Sequence, residues 1–477
     1  MIRSSGWSRW PPKEGSPAHF QSSSDVLAPA VALRDEIDTF CQRGYLASSN
    51  HNAPFRKEAA LSTDPNTKSI DIDTSLVEQY LSQMAQFGKF GQTGVNRVAY
   101  SPEWVAAMDQ YAKWCSDANL VVKRDSVGNI WGVLQGTTDR NVIASGSHID
   151  SQTSGGRYDG SLGALSALIA LRALNEQFGR PKRTLECVAL CEEEGSRFPS
   201  AQFWGSRAIT GRISPEDPDR VLGWDGQSIA SAMREVGLDP VKFLESKRED
   251  IDAFIELHIE QGPILEQLGL PVAIVTGITG IRHYSVELLG KQDHAGAFPM
   301  DMRRDAMAGF SEISTGLLNT AHRWGRPTVT TVGRIVCEPN FPAIVPGKIS
   351  FTVDCRHPDP ELCQKLYETH EALMREVAER RQLDVNWTII NDHPPCPSDL
   401  GLIDIFSKGA AIQRVPFTTM HSGAGHDCQQ MGRIAKVVMI FVRSKGGRSH
   451  TPDEFSSVED ILAGIRTLAA GLHKMAY

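Results

Sequence analysis

The stretch that most limits what this chain can fold into runs from Gly146 to Gly163. An apolar run, Val142 to Ala144, precedes it, and an apolar helical pattern, Leu162 to Leu174, follows it. The reading is strand, loop, helix. It puts His148, Asp150 and Asp159 at the carboxyl end of a buried strand, where open α/β sheets bind ligands. Imidazole and carboxylate groups both ligate Zn²⁺ or Mn²⁺. Glycines at 155, 156 and 160 let the backbone fold tightly around them.

Comparable units surround this one. Ser101-Pro102-Glu103 starts a helix with an N-cap and a proline in the first turn, and Trp104, Met108, Tyr111, Ala112 and Cys115 fall on one face. Strands are expected at Leu120 to Arg124, Ile130 to Leu134, Val142 to Ser145 and Thr184 to Leu190. A further one at Phe254 to Ile259 carries Glu256, His258 and Glu260 on one side. This alternation predicts an α/β protein whose mixed sheet is covered on both faces.

Between about Ile281 and Asp392 the order changes. Strand Tyr284 to Leu289, helix Met302 to Trp324, strands Thr328 to Val336 and Ile349 to Cys355, helix Pro360 to Arg381 and strand Val385 to Ile390 make a β-α-β-β-α-β series. That is the signature of a small ferredoxin-like α+β domain. Ligand candidates lie on both sides of it, so it reads as an insertion. The expected division is an N-terminal extension at 1–70, partly disordered and with one short helix from Val26 to Arg43, then a catalytic domain at 71–280 and 395–477 interrupted by 281–394.

With 477 residues, 41% hydrophobic and 22% charged, the chain can bury a core of this size. A net charge of −8 gives no reason to expect nucleic acid or a membrane surface as partner. No apolar run approaches the roughly 18–20 residues of a membrane span. Met1 to Ser24 lacks the apolar core of a secretory signal, although its arginines and serines, with Glu14 the one acid, have the composition of a transit peptide. Nine cysteines without a CxxC pair point to a reducing cytoplasm and away from a Cys-based zinc site.

Five later motifs carry matching chemistry: Glu192-Glu193-Glu194-Gly195-Ser196-Arg197-Phe198, His258-Ile259-Glu260-Gln261-Gly262-Pro263, His294-Ala295-Gly296, Gly423-Ala424-Gly425-His426-Asp427 and Ser449-His450-Thr451-Pro452-Asp453-Glu454. In this order, from about Ile70 to the C-terminus, the chain resembles the hydantoinase/carbamoylase family of metal-dependent amidohydrolases. Those are relatives of aminoacylases and of carboxypeptidase-type two-metal peptidases. The resemblance implies an aminopeptidase-like catalytic domain, with the insertion as lid and dimerisation domain. It implies two divalent ions per subunit, Zn²⁺ first, with Mn²⁺, Co²⁺ or Ni²⁺ accepted. His148, Asp159 and His258 would hold one ion and Asp159, Glu194 and His450 the other, with Asp159 shared.

By the same resemblance Glu193 is general base and then acid, a metal-bridging hydroxide is the nucleophile, and His426 stands near the substrate carbonyl. His294 would come from the partner subunit of a homodimer. Arg356 would grip the substrate carboxylate, with Gln261 assisting. Asp150 is placed to accept the other ring N–H of His148, and Glu192 reads as a solvated or supporting charge. The expected reaction is hydrolysis of the carbamoyl or ureido C–N bond of a small carboxylated molecule, an N-carbamoyl amino acid first. An allantoate-type ureido acid, an N-acyl amino acid or dipeptide, and a non-catalytic metal-binding dimer are the alternatives.

The chain departs from its family in two places. Within Pro339-Asn340-Phe341-Pro342-Ala343-Ile344-Val345-Pro346-Gly347 the usual second Asn is Ala343, and Ala297-Phe298 stand where two threonines are usual. A substrate with an apolar portion near Phe298 is therefore expected, with Asn340 the neighbour able to take over the lost contact.

Overall fold

The computed structural model describes residues 69–477; the expected extension and its helix at Val26 to Arg43 lie outside the described residues. Helix α1 (Thr74–Met84) is capped by Asp73. Helix α2 (Pro102–Asp117) begins as expected, with the Ser101 side chain accepting the Trp104 N–H. Its buried face holds Trp104, Met108, Tyr111 and Cys115.

Strands β1 (Val121–Arg124), β2 (Ile130–Leu134) and β3 (Thr138–His148) follow, then helix α3 (Ser161–Phe178), then β4 (Arg183–Leu190), β5 (Ile251–Ile259) and β6 (Val272–Ile278). Strand β3 is longer than its apolar run, because pairing with β4 continues to His148 opposite Leu190. The imidazole thus stands on the last residue of a paired strand.

The chain then builds a second sheet: β7 (Gly280–Leu289), helix α4 (Ala306–Trp324), β8 (Val329–Glu338), β9 (Lys348–His357), helix α5 (Pro360–Arg380) and β10 (Asp384–His393). These four strands run antiparallel in the order β8-β9-β7-β10. Strand β9 alternates strictly between half-buried and buried positions. Its inward residues Ile349, Phe351, Val353 and Cys355 meet Ile313 and Leu317 of α4 and Leu366 and Met374 of α5. Helix α4 starts four residues later than Met302, because Asp305 caps it through the N–H groups of Met307 and Ala308 while Met300–Met302 form a separate 3₁₀ turn.

The chain returns through β11 (Cys396–Pro397), helix α6 (Leu400–Ile412), β12 (Phe417–Ser422), helix α7 (Asp427–Met431), β13 (Lys436–Val442) and helix α8 (Val458–Ala476). The large sheet has the order β11-β6-β13-β5-β3-β4-β2-β1, with β12 alongside β6. Its centre, β13-β5-β3-β4, is parallel, and antiparallel pairs close it at β6 and at β2. Both faces are covered: Val438, Ile440 and Val442 join the core under α3 and α8, whereas Val437, Met439 and Phe441 join the one with Cys428 and Met431 of α7. No helix of the described residues is long and apolar enough to cross a membrane.

Helix α3 lies so close to the sheet that a Cβ on Gly163 would sit 2.1 Å from the Leu257 carbonyl oxygen and 2.6 Å from Ser147 Cβ. Gly163→Ala should therefore cost about 3 kcal/mol through overpacking, despite the better helix propensity of alanine. Urea unfolding measures it, and an unchanged midpoint would show that the helix has room to move.

Candidate active site

Parallel strands end on one edge of a sheet, and three of them deliver the chemistry here. His148 ends β3, Glu192-Glu193-Glu194 follow β4, and His258 is the penultimate residue of β5. Asp159 comes from the loop before α3, next to the positive end of that helix dipole. His450 comes from the loop between β13 and α8. Gly160 has φ 61°, and a Cβ there would lie 2.3 Å from the His148 ring, so no side chain fits.

The carboxylate of Asp159 faces two groups at once. Its Oδ1 is 3.5 Å from His148 Nε2 and 3.2 Å from His258 Nε2, and its Oδ2 is 3.5 Å from His450 Nε2. Glu194 Oε2 stands 3.4 Å from the same His450 nitrogen. His148, Asp159 and His258 form one cluster able to hold a metal ion, and Asp159, Glu194 and His450 form another, each with ligand atoms within 4.8 Å of one another. Glu193 Oε2 lies 3.7 Å from His148 Nε2.

Two imidazoles are oriented by main chain. Nδ1 of His148 bonds the Asp150 carbonyl oxygen and Nδ1 of His258 bonds the Ile259 carbonyl oxygen, both at 3.0 Å, so in the neutral ring Nε2 is the lone-pair atom. Asp150 thus orients His148 through its backbone and not, as expected, through its carboxylate, whose Oδ1 is 3.9 Å from Nδ1. The carboxylate is occupied elsewhere: Oδ1 accepts the Glu193 N–H at 3.3 Å and Oδ2 the Glu194 N–H at 3.2 Å.

Charge decides what this site can hold. Asp150, Asp159, Glu192, Glu193, Glu194, Glu256, Asp427 and Glu454 are all buried. The guanidinium buried near them, Arg97, gives its hydrogen bonds to the carbonyls of Met84, Phe87 and Ile149 and to Ser161 Oγ. Burial pushes the Glu192 and Glu193 carboxyls well above the usual carboxylate range. For His148, burial is outweighed by Glu193, Asp159 and Asp150, which raise it well above the ordinary imidazole value. Glu194 Oε1, Glu192 Oε2 and Asp427 Oδ2 are buried without a hydrogen-bond partner. A nitrogen and oxygen donor set with surplus negative charge fits borderline divalent cations.

The other expected residues divide. His426 is buried, packs edge-on against the His258 ring at 4.6 Å, and has Nε2 2.9 Å from Ser422 Oγ. Gln261 donates to Asp159 Oδ2 at 2.9 Å, while its own Oε1 is buried without a partner. Arg356 is gripped by Asp354, Nη2 to Oδ2 at 2.8 Å, and donates to the Gly423 carbonyl oxygen at 2.8 Å. His294 is exposed and belongs to none of the metal-capable clusters among the described residues. Its Nδ1 accepts from the Gly296 and Ala297 N–H groups, so Nε2 carries the proton. Asn340 is exposed, with φ 56°.

Glu192 is not solvated: it is buried at 0% exposure and accepts the Phe198 N–H at 2.9 Å. The sequence places Glu256 beside His258 but assigns no role to it, to Ser422 or to Asp354. Glu256 braces the site by accepting from Ser147 Oγ at 2.7 Å and from the Cys428 N–H at 2.8 Å. The alternation of β5 placed it beside His258, and that of β9 placed Asp354 beside Arg356, so the period of two was the available signal.

Residues 144–474 match Peptidase family M20/M25/M40. The chain belongs to this family. Allantoate amidohydrolase of Escherichia coli (strain K12) is 38% identical over 84% of this chain and 98% of its own length. N-carbamoyl-L-amino-acid amidohydrolase of Pseudomonas sp. (strain NS671) is 34% identical over 85% and 99%. Among solved structures, a hydantoinase/carbamoylase family amidase from Burkholderia multivorans superposes with a TM-score of 0.79 at 31% identity, over 86% of this chain and 99% of its own. As a member of the M20 family the chain is a hydrolase, of the amidase kind.

The site predicts a pH signature. Burial, and then neighbouring carboxylates, push Asp427 and Glu454 each up to about 8, from ordinary values of 3.8 and 4.5. An acid raised in the folded state contributes stability that is complete below its ordinary value and lost as pH rises through the raised one. Metal-free protein should therefore melt at falling temperature between about pH 5 and pH 8, and saturating Zn²⁺ or Mn²⁺ should flatten the profile. A metal-free melting temperature that rises over this window would contradict the charge assignment.

Proposed function

We propose that this M20-family member hydrolyses the carbamoyl or ureido C–N bond of a small carboxylated substrate, an N-carbamoyl amino acid or an allantoate-type ureido acid. The observation that carries the reading is Asp159, whose two oxygens face separate His and carboxylate groups with Glu193 beside them. His148, Asp159 and His258 would hold one divalent ion and Asp159, Glu194 and His450 the second, Zn²⁺ before Mn²⁺, Co²⁺ or Ni²⁺. Such ions would polarise the substrate carbonyl and lower the pKa of water.

In this reading Glu193 takes the proton of the attacking water and returns it to the leaving nitrogen. Its confinement suits that task, because a carboxyl raised by burial is a stronger base once ionised. Gripping the Glu193 and Glu194 N–H groups, Asp150 would keep base and ligand in register. His426 donates toward the developing oxyanion. Arg356 binds the substrate carboxylate in competition with Asp354, which His283 and Arg356, against the effect of burial, hold at about 2. Gln261 has Oε1 left to reach the substrate.

We take 281–394 as an inserted lid and dimerisation domain. Edge strand β8 leaves Val329, Ile335 and Val336 exposed beside Leu318 of α4, which suits pairing with a second copy. His294, exposed and with its proton on Nε2, would then serve the partner's site. The eight described cysteines are unpaired, in keeping with a reducing cytoplasm.

Specificity follows the two departures. The Ala295 N–H donates to the Ala343 carbonyl oxygen at 3.0 Å, so the Ala343 and Phe298 loops adjoin. Ala343 has φ 65°, a conformation that Asn adopts more easily than Ala. Ala343→Asn should lower KM for a small N-carbamoyl amino acid about tenfold by adding one hydrogen bond to charge. If the unaltered enzyme already handles N-carbamoyl-alanine well, the shift in specificity is wrong.

The reaction itself is tested by ammonia release from a panel of N-carbamoyl amino acids, allantoate, N-acyl amino acids and dipeptides. Turnover of a ureido compound that chelation abolishes and Zn²⁺ or Mn²⁺ restores is expected; cleavage confined to acyl compounds or dipeptides would refute the proposal. Glu193→Gln should keep its metal and lose about 10²-fold or more in kcat, whereas Glu194→Gln should lose metal. The opposite pair of phenotypes would exchange the two roles.

A further inference from the structure

The loop that carries His450 supplies one more acidic side chain, for which the reaction above has no use. Glu454 is 3% exposed and reaches across to the loop that carries Asp159. Its Oε1 accepts the N–H groups of Tyr158 at 2.7 Å and Asp159 at 2.9 Å, and its Oε2 is 3.3 Å from Ser449 Oγ. The Ser449 hydroxyl in turn donates to Asp159 Oδ2 at 2.5 Å. Asp159 is thus held by its main chain and by its carboxylate from the same six-residue segment.

Space for this contact is built into the opposite loop. A Cβ on Gly156 would lie 2.2 Å from Cδ and Oε1 of Glu454. The glycine is needed here for room, since its φ lies outside the left-handed region. His148 and His258 stand on paired strands of the central sheet, but Asp159 and His450 stand on loops. One carboxyl oxygen that accepts two consecutive amides fixes the main chain at Tyr158 and Asp159. Glu454 places that contact between the two loops whose ligands have to meet.

We propose that Glu454 is a positioning residue that sets Asp159 against His450, and so governs ion affinity in the half of the centre formed by Asp159, Glu194 and His450. This rests on the two-ion reading above. The competing account is a loop staple that stabilises the fold and leaves the ions alone.

Two variants separate these accounts without changing any ligand. Glu454→Leu keeps roughly the size and removes both acceptor oxygens; Gly156→Ala displaces the carboxyl group and leaves Glu454 intact. Each is measured with Zn²⁺ alone, by ions per subunit after dialysis, by competition with a chromogenic chelator, and by melting temperature with and without metal. We expect both variants to bind one of the two ions about 10- to 100-fold more weakly. The metal-dependent rise in melting temperature should shrink in both variants, beyond any change in the metal-free value. Two ions held with unaltered affinity, a loss confined to metal-free stability, or failure of both variants to fold would each overturn the proposal. Unaltered protein that binds no Zn²⁺ would overturn the two-ion reading itself, a result distinct from all of these.

Discussion

Eight carboxylates removed from water at one edge of a sheet are the constraint to which the rest of this structure answers. Burying ionised groups without partners is among the most costly things a fold can do, and Arg97 beside them is engaged by carbonyls and a hydroxyl. The surrounding structure supplies what relief protein groups can: backbone amides for Asp150, Glu192 and Glu454, hydroxyls for Glu256 and Asp427, a helix N-terminus near Asp159. Oxygens of Glu192, Glu194 and Asp427 still lack partners. The remaining charge is what suits the site to divalent cations.

Sequence alone was most informative where a periodic signal and a chemical one coincided. The apolar run before His148 and the helical pattern after Leu162 located both elements and the loop between them, and the β-α-β-β-α-β series gave the order of the second sheet. Main-chain interactions were not legible. That Asp150 orients His148 through a carbonyl and the Glu193–Glu194 turn through its carboxylate depends on where the amides after β4 come to lie. Of the two readings of Glu192, the solvated one fails and the supporting one fits, because its left-handed φ of 51° turns it inward to the Phe198 amide. Arg356 was found by its motif, but its ion pair with Asp354 follows from two residues sharing one face of β9.

The two sheets meet at polar contacts close to the site. Arg356 of β9 donates to the Gly423 carbonyl oxygen, three residues before His426, and Asn391 of β10 donates to Gln202 at 3.2 Å. Phe203 meets the His393 ring at 5.4 Å. Each contact joins the four-stranded sheet to a loop that follows a strand of the larger one. A shift of the smaller sheet would thus reach the Gly423–His426 segment through the Arg356 guanidinium.

The order of the ligands along the chain bears on biosynthesis. His148 emerges early, but His450 and Glu454 follow β13, which must insert between β5 and β6 before the edge of the sheet is complete. A nascent chain that stops short of β13 carries most of the acidic residues without the last imidazole and without the strand that fixes their neighbours. The site therefore closes only when the C-terminal segment docks, and the full cost of burying these carboxylates arises with that step.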